Sequence, residues 1–247
     1  MIHHEPPAPL LPEGSDAQVV TTEWRRRTAA EYASAAIAQQ ATLWLIQLGA
    51  PPDLIRDGLQ VVSDELDHSE LSAGVADAAG GAAYAPMVDS ASLTHPDAGR
   101  PGAALLTVIL RSFCIGETVA VPLFRMLRQR CSVPVARRAL DRVLGDEARH
   151  RQLGWDVLDW ILLTGGPAVV GQIADQVPAM VDEFVAIHAV SPGAGPPATD
   201  LRSEIQAWGL APAVDYATTI ATALAHDVLP RLEARGVFLH RTGGGCS

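Results

Sequence analysis

The sequence predicts an all-α fold: a four-helix bundle with one long crossover between its second and third helices, followed by additional C-terminal helices. Three observations point there. Apolar residues recur with helical rather than alternating period. Gly and Pro punctuate the chain at helix-length intervals. Finally, two short connections flank a single long one.

In chain order, residues 1–20 hold four prolines, with no basic start and no apolar run. They predict a flexible lead-in and no secretory signal. A first helix is expected from Thr22, an N-cap candidate, to Gly49. Its Ala-rich middle combines good helix formers with side chains small enough for close packing. Ala50 and Pro51 turn the chain into a second helix over 52–79, where Pro52 at the first turn lacks only an N–H that would be unpaired anyway. Gly80 and Gly81 stop it. Residues 81–102 show no helical period, and about twenty residues at roughly 3.3 Å each can cross the length of a bundle. The third helix is expected over 103–131 and the fourth over 134–164, closed by Gly165 and Gly166. Two antiparallel hairpins joined by a crossover result, so the bundle occupies 21–166. A helical extension over 167–236 packs on it: a helix over 167–190 kinked at Pro178, a Pro/Gly loop over 191–200, and one or two helices over 201–235. Residues 237–247 are expected to be a flexible tail.

With 48% apolar residues among 247 the chain can bury a substantial core. Its net charge of −10 argues against a nucleic-acid backbone or an anionic membrane as partner. Cys114, Cys131 and Cys246 are odd in number and widely spaced, which excludes a disulfide framework and a Cys-x-x-Cys site and points to a reducing cytoplasm. The long apolar run over 102–124 contains Arg111 and Glu117. A charge at mid-bilayer costs roughly 3 kcal/mol, so this run reads as a helix buried in protein.

The second and fourth helices repeat each other at an offset of 82 residues. Pro52 falls on Pro134, Asp64 on Asp146, Glu65 on Glu147 and His68 on His150. The shared core is Asp-Glu-x-x-His. Residues three apart share a helix face, so Glu65 with His68, and Glu147 with His150, can each grip one ion. Carboxylate oxygen and neutral imidazole suit iron or manganese. Glu117 lies among apolar neighbours, where an unpaired carboxylate is prohibitively costly, and Glu31 takes the comparable place in the first helix. At 1.5 Å per residue all six groups can meet at one depth, and four carboxylates against two divalent ions leave the site near neutral. Asp64 and Asp146 are expected behind the ligands, Asp64 serving His150 and Asp146 serving His68, because a metal-bound imidazole usually donates its other N–H to a carboxylate.

With Glu31, Glu65-x-x-His68, Glu117 and Glu147-x-x-His150 in place, residues 22–165 resemble the ferritin-like di-iron carboxylate superfamily. The resemblance implies two iron ions, with manganese as the alternative, and O2 or peroxide as oxidant. The chain departs from typical rubrerythrins in lacking Cys-x-x-Cys, and from arylamine oxygenases in having Val143 where they carry an extra histidine. The expected function is a di-iron oxidoreductase that uses O2 to oxidise a small organic molecule, with an external electron donor and a homodimeric state compatible with it. A ferroxidase or peroxide scavenger is the second class. Small residues near the ligands (Ser34, Ala35, Ala38, Cys114, Gly116 and Ala120) are candidates to leave room for substrate, with close helix packing as their ordinary explanation. His188 and His226 are candidates for proton transfer, although a lone histidine on such a helix is more often structural.

Overall fold

A computed structural model describes residues 14–82, 84–89, 97, 99–189 and 201–238. Among them there are helices and no strands. α1 is Ser15–Gln47, α2 Pro52–Ala78, α3 Pro101–Arg130, α4 Pro134–Gly165, α5 Pro167–Ala189 and α6 Ser203–Gln206. Segments Ala213–Ala223, Leu224–Val228 and Leu229–Glu233 run on as a seventh helix, α7. Proline at the first turn starts α2, α3 and α4. Gly49 and Gly166, at φ 70° and 70°, end α1 and α4 in the left-handed region that suits glycine.

The expected helix spans agree with the structure to within about two residues, as boundaries generally do, with one correction. α1 begins at Ser15, so Thr22 lies inside the helix and caps nothing. The physical reason is distant in sequence. Val20 and Trp24 are buried against Ile205, Trp208 and Leu210, and Trp24 Nε1 donates to the Trp208 carbonyl at 2.9 Å. Asp16 is paired with Arg202 at 2.9 Å. The C-terminal extension therefore extends the first helix backwards. The expected loop over 191–200 and most of the expected tail lie outside the described residues.

Four long helices enclose the core. α1 lies along α2, α2 on α4, α4 on α3, and α3 back on α1, which closes a ring. Contacts set the directions. Ser69 Oγ donates to the Thr28 carbonyl at 3.0 Å, while Gly58 lies against Thr42 further along, so α1 and α2 are antiparallel. His68 meets Asp146 and Asp64 meets His150, so α2 and α4 are antiparallel too. Arg128 pairs with Asp141, and Cys114 Sγ donates to the Gly154 carbonyl, giving the same relation for α3 and α4.

Two apolar clusters make the core. One gathers Val61, Leu105, Phe113, Leu158, Val177 and Val228; the other gathers Trp24, Val75, Leu140 and Trp208. Between them along α1, α2 and α4 lie the buried polar residues Thr28, Glu31, Glu65, His68, Ser69, Glu147 and His150. α3 is long and apolar enough to cross a membrane, yet 61% of its most apolar window is buried inside the molecule. Over Ile109–Glu117 its turns widen to π-helical hydrogen bonding, a form that recurs at functional sites.

Two glycines of α4 test this packing with opposite signs. A Cβ on Gly154 would sit 2.6 Å from Phe113 Cβ and 3.0 Å from the Phe113 backbone, whereas one on Gly145 meets nothing within 4 Å. Gly154→Ala should destabilise by about 1–3 kcal/mol, since overpacking outweighs the gain of about 1 kcal/mol in helix propensity. Gly145→Ala should gain close to that propensity term. Thermal unfolding of the two variants beside the parent measures both; a stabilised Gly154→Ala would refute the close contact of α3 and α4.

Candidate metal centre

Four helices each contribute to the polar layer. α2 presents Glu65 and His68 on one face, α4 presents Glu147 and His150, and α1 and α3 add Glu31 and Glu117. Both imidazoles are fully buried, and Glu65 and Glu147 are each 2% exposed. Glu117, the last residue of the π-helical stretch, is partly accessible. Ligand atoms of Glu65, His68 and His150 lie within 4.8 Å of one another, and so do those of Glu117, Glu147 and His150. Two overlapping groups that could hold a metal ion thus share His150. Glu31 stands outside both, beside Glu65, while Glu117 adjoins Glu147.

The imidazoles are held from behind. His68 Nε2 is 3.1 Å from Asp146 Oδ2 and His150 Nε2 is 3.2 Å from Asp64 Oδ2, the crossed pairing expected from the repeat. Donation from Nε2–H to carboxylate leaves each Nδ1 with a lone pair aimed at the centre. There His68 Nδ1 is 3.7 Å from Glu65 Oε2, and His150 Nδ1 is 3.2 Å from Glu65 Oε1 and 3.9 Å from Glu147 Oε2. None of these contacts has hydrogen-bond geometry. His68 Nδ1, His150 Nδ1, Glu65 Oε2 and Glu147 Oε2 are all buried without a hydrogen-bond partner. Leaving four such atoms unsatisfied costs about 1–3 kcal/mol each. Cations placed among them satisfy all four, so the residues present fit a metal.

Electrostatics point the same way. Burial, reinforced by Glu65, pushes the Glu31 carboxyl well above its usual range; burial and the neighbouring Glu117 do the same to Glu147. Burial also raises Glu117. For Glu65 burial is again the largest influence, but the two imidazoles beside it, His150 and His68, outweigh it and bring the group down to about 2. Burial lowers His150, yet Glu65, Glu117 and Asp64 together prevail and raise it to about 9. Without cations the cluster thus stores protons in place of positive charge.

The sequence reading missed an outer layer. Arg149 reaches Asp64 and Asp146, each at 2.8 Å, and Arg142 reaches Asp146 at 3.0 Å and Asp67 at 3.2 Å. Gln60 donates to Asp64 at 2.9 Å. Burial would raise Asp64, but Arg149, Gln60 and His150 hold its carboxyl below the usual value. The signal was present: Arg142 and Arg149 lie four before and three after Asp146, the spacings that meet on a helix surface. Other candidates fall away from the centre. Cys114 is fully buried, and burial pushes its thiol far up, with Arg235 and Asp159 as its charged neighbours. His188 Nδ1 bonds the Phe184 carbonyl at 2.7 Å, and His226 is exposed on α7. Among the small residues, Ala35, Ala38 and Cys114 are themselves buried in close-packed helix contacts.

Two outcomes are expected. Removing the carboxylate behind either imidazole, by Asp64→Ala or Asp146→Ala, should weaken metal binding roughly 10–100-fold, measured by competitive chelation with Fe(II) or Mn(II). Metal binding should also release protons and tighten as pH rises, because the raised Glu31, Glu117 and Glu147 must ionise and His150, held up to about 9, must lose its proton to act as ligands. Titration calorimetry in two buffers of different ionisation enthalpy reads the proton number; zero protons released contradicts the arrangement.

No protein-family model, curated protein or solved structure matches this chain.

Proposed function

We propose that this chain is a ferritin-like di-iron protein that uses O2 to oxidise or oxygenate a small organic substrate. One observation carries the reading: buried carboxylates and imidazoles from four helices meet with four of their atoms unpartnered and facing inward. Short, long and short connections around a closed ring of four helices match the one-crossover bundle. Glu31, Glu65, His68, Glu117, Glu147 and His150 would hold two ions, whose combined charge of about +4 balances four carboxylates. Iron is the metal of choice because a pair of such ions supplies the electrons that reduce O2; manganese fits the same donors.

The remaining work belongs to the chain. Asp64 and Asp146 orient the imidazoles by accepting their Nε2–H. The two apolar clusters exclude water above and below the layer. Both histidines are sealed, whereas Glu117 is partly accessible, so small reactants approach from the side of α3. α7 covers that helix: Ile220, Leu224 and Val228 share a cluster with Ile109, Leu110 and Phe113. Such a cover favours a held organic substrate over iron itself as substrate.

Anaerobic loading with Fe(II) should give close to two irons per chain, and Glu117→Ala should lose at least one. On exposure to O2, uptake should stop once the bound iron is oxidised and resume with a chemical reductant plus an organic co-substrate. Uptake that instead scales with each addition of Fe(II) alone would assign the chain to the ferroxidases. Failure of Fe(II) to bind at all would end the di-iron reading.

A further inference from the structure

Where the crossover passes the α1–α2 edge of the bundle, its residues 86–88 stand off the two helices. They leave a groove of about 490 Å³, lined by Tyr32, Ala35 and Gln39 from α1, Val62 and Leu66 from α2, and Met87. Sites that hold small molecules run roughly 300–1,000 Å³, with a mostly apolar lining and a few placed polar groups. Here the polar groups are the Tyr32 phenol and the Gln39 amide. No charged side chain lines the groove among the described residues.

The groove lies at the height of the carboxylate layer. Ser69 meets Thr28 and Gly58 lies against Thr42, so Ala35, midway between the two threonines, stands level with the stretch from Val62 to Glu65. Tyr32 directly follows Glu31, and Leu66 directly follows Glu65. Ala35 comes four residues after Glu31 and Val62 three before Glu65, spacings that share a helix face. Helical side chains lean toward the N-terminus, which tips Ala35 back over the turn of Glu31 and Glu65 over the turn of Val62. Ala35 is 4% exposed, so its methyl group closes the floor. Of the small residues expected to leave room for substrate, it is the one that lines the groove.

We propose that this groove binds the organic substrate, an uncharged and mainly apolar small molecule, and that Ala35 sets how near it comes to the carboxylate layer. The assignment rests on the di-iron reading. A charged molecule would give up its hydration here with no opposite charge to meet it, whereas an apolar body gains with each buried methylene. Met87 is 88% exposed at the rim, and its flexible thioether adapts to an irregular guest. The α3 side admits reactants as small as O2, so oxidant and substrate arrive from different edges of the bundle.

Titration of the metal-free full chain with phenylnaphthylamine, an uncharged apolar fluorophore, should saturate at one molecule per chain. Ala36→Trp, at a half-buried position on the α1 wall of the groove, should weaken that binding about tenfold or more. Leu163→Glu, at an exposed residue of α4, should leave it unchanged. Hydrogen exchange of the unsubstituted chain gives a readout independent of variant folding: residues 32–39, 62–66 and 84–89 should gain protection when the fluorophore saturates. Loading the centre with Mn(II) should then broaden the proton resonances of the bound fluorophore. Binding that does not saturate, equal affinity in Ala36→Trp, or protection confined to other helices overturns the proposal. Displacement of the fluorophore by anionic anilinonaphthalene sulfonate at equal affinity overturns the uncharged class, and bound Mn(II) without broadening overturns the link to the centre. Mn(II) that does not bind while the fluorophore still saturates sinks the di-iron reading and not the groove.

Discussion

Four carboxyl groups and two imidazoles enclosed between two apolar clusters are the constraint on which the molecule turns. Burying an unpaired carboxylate is among the costliest things a fold can do. Here Glu31, Glu65 and Glu147 are buried together with Glu117 partly accessible beside them, and mutual repulsion adds to the loss of water. Protons relieve the repulsion only in part: they leave Glu65 and Glu147 oxygens and both Nδ1 atoms without hydrogen-bond partners. Divalent cations relieve both problems at once. The rest of the layer is arranged so that the donors cannot turn away. Asp64 and Asp146 lock the rings, and Arg142 and Arg149 lock the aspartates from the surface, where their own charge is cheap to keep.

That hierarchy explains what was legible in the sequence. The Asp-Glu-x-x-His repeat survives as spacing because helices convert spacing into direction: three residues apart is one face, and the offset of 82 residues puts the two motifs on antiparallel neighbours. The crossed partnership of Asp64 with His150 and Asp146 with His68 followed from that symmetry. Glu117 was conspicuous because a lone acid in an apolar run needs a partner. What local spacing could not reveal was non-local. α1 starts seven residues before Thr22 because Trp208, nearly two hundred residues on, buries Trp24. The π-helical stretch before Glu117 is a change in backbone hydrogen bonding with no side-chain period of its own. Cys114, expected among the small residues near the ligands, instead hands its thiol to the Gly154 carbonyl.

The same geometry separates two kinds of surface. The side carrying Arg142 and Arg149 is solvated because its charges complete the support of the histidines. The α1–α2 side has no such duty, and Glu31 is the last charge on α1 before the hairpin turn. That hairpin instead supplies Glu31, Glu65 and His68 from two helices packed along each other's length, so half of the six proposed ligands take their positions from one helix pair, and a change that loosens α1 against α2 would displace all three together.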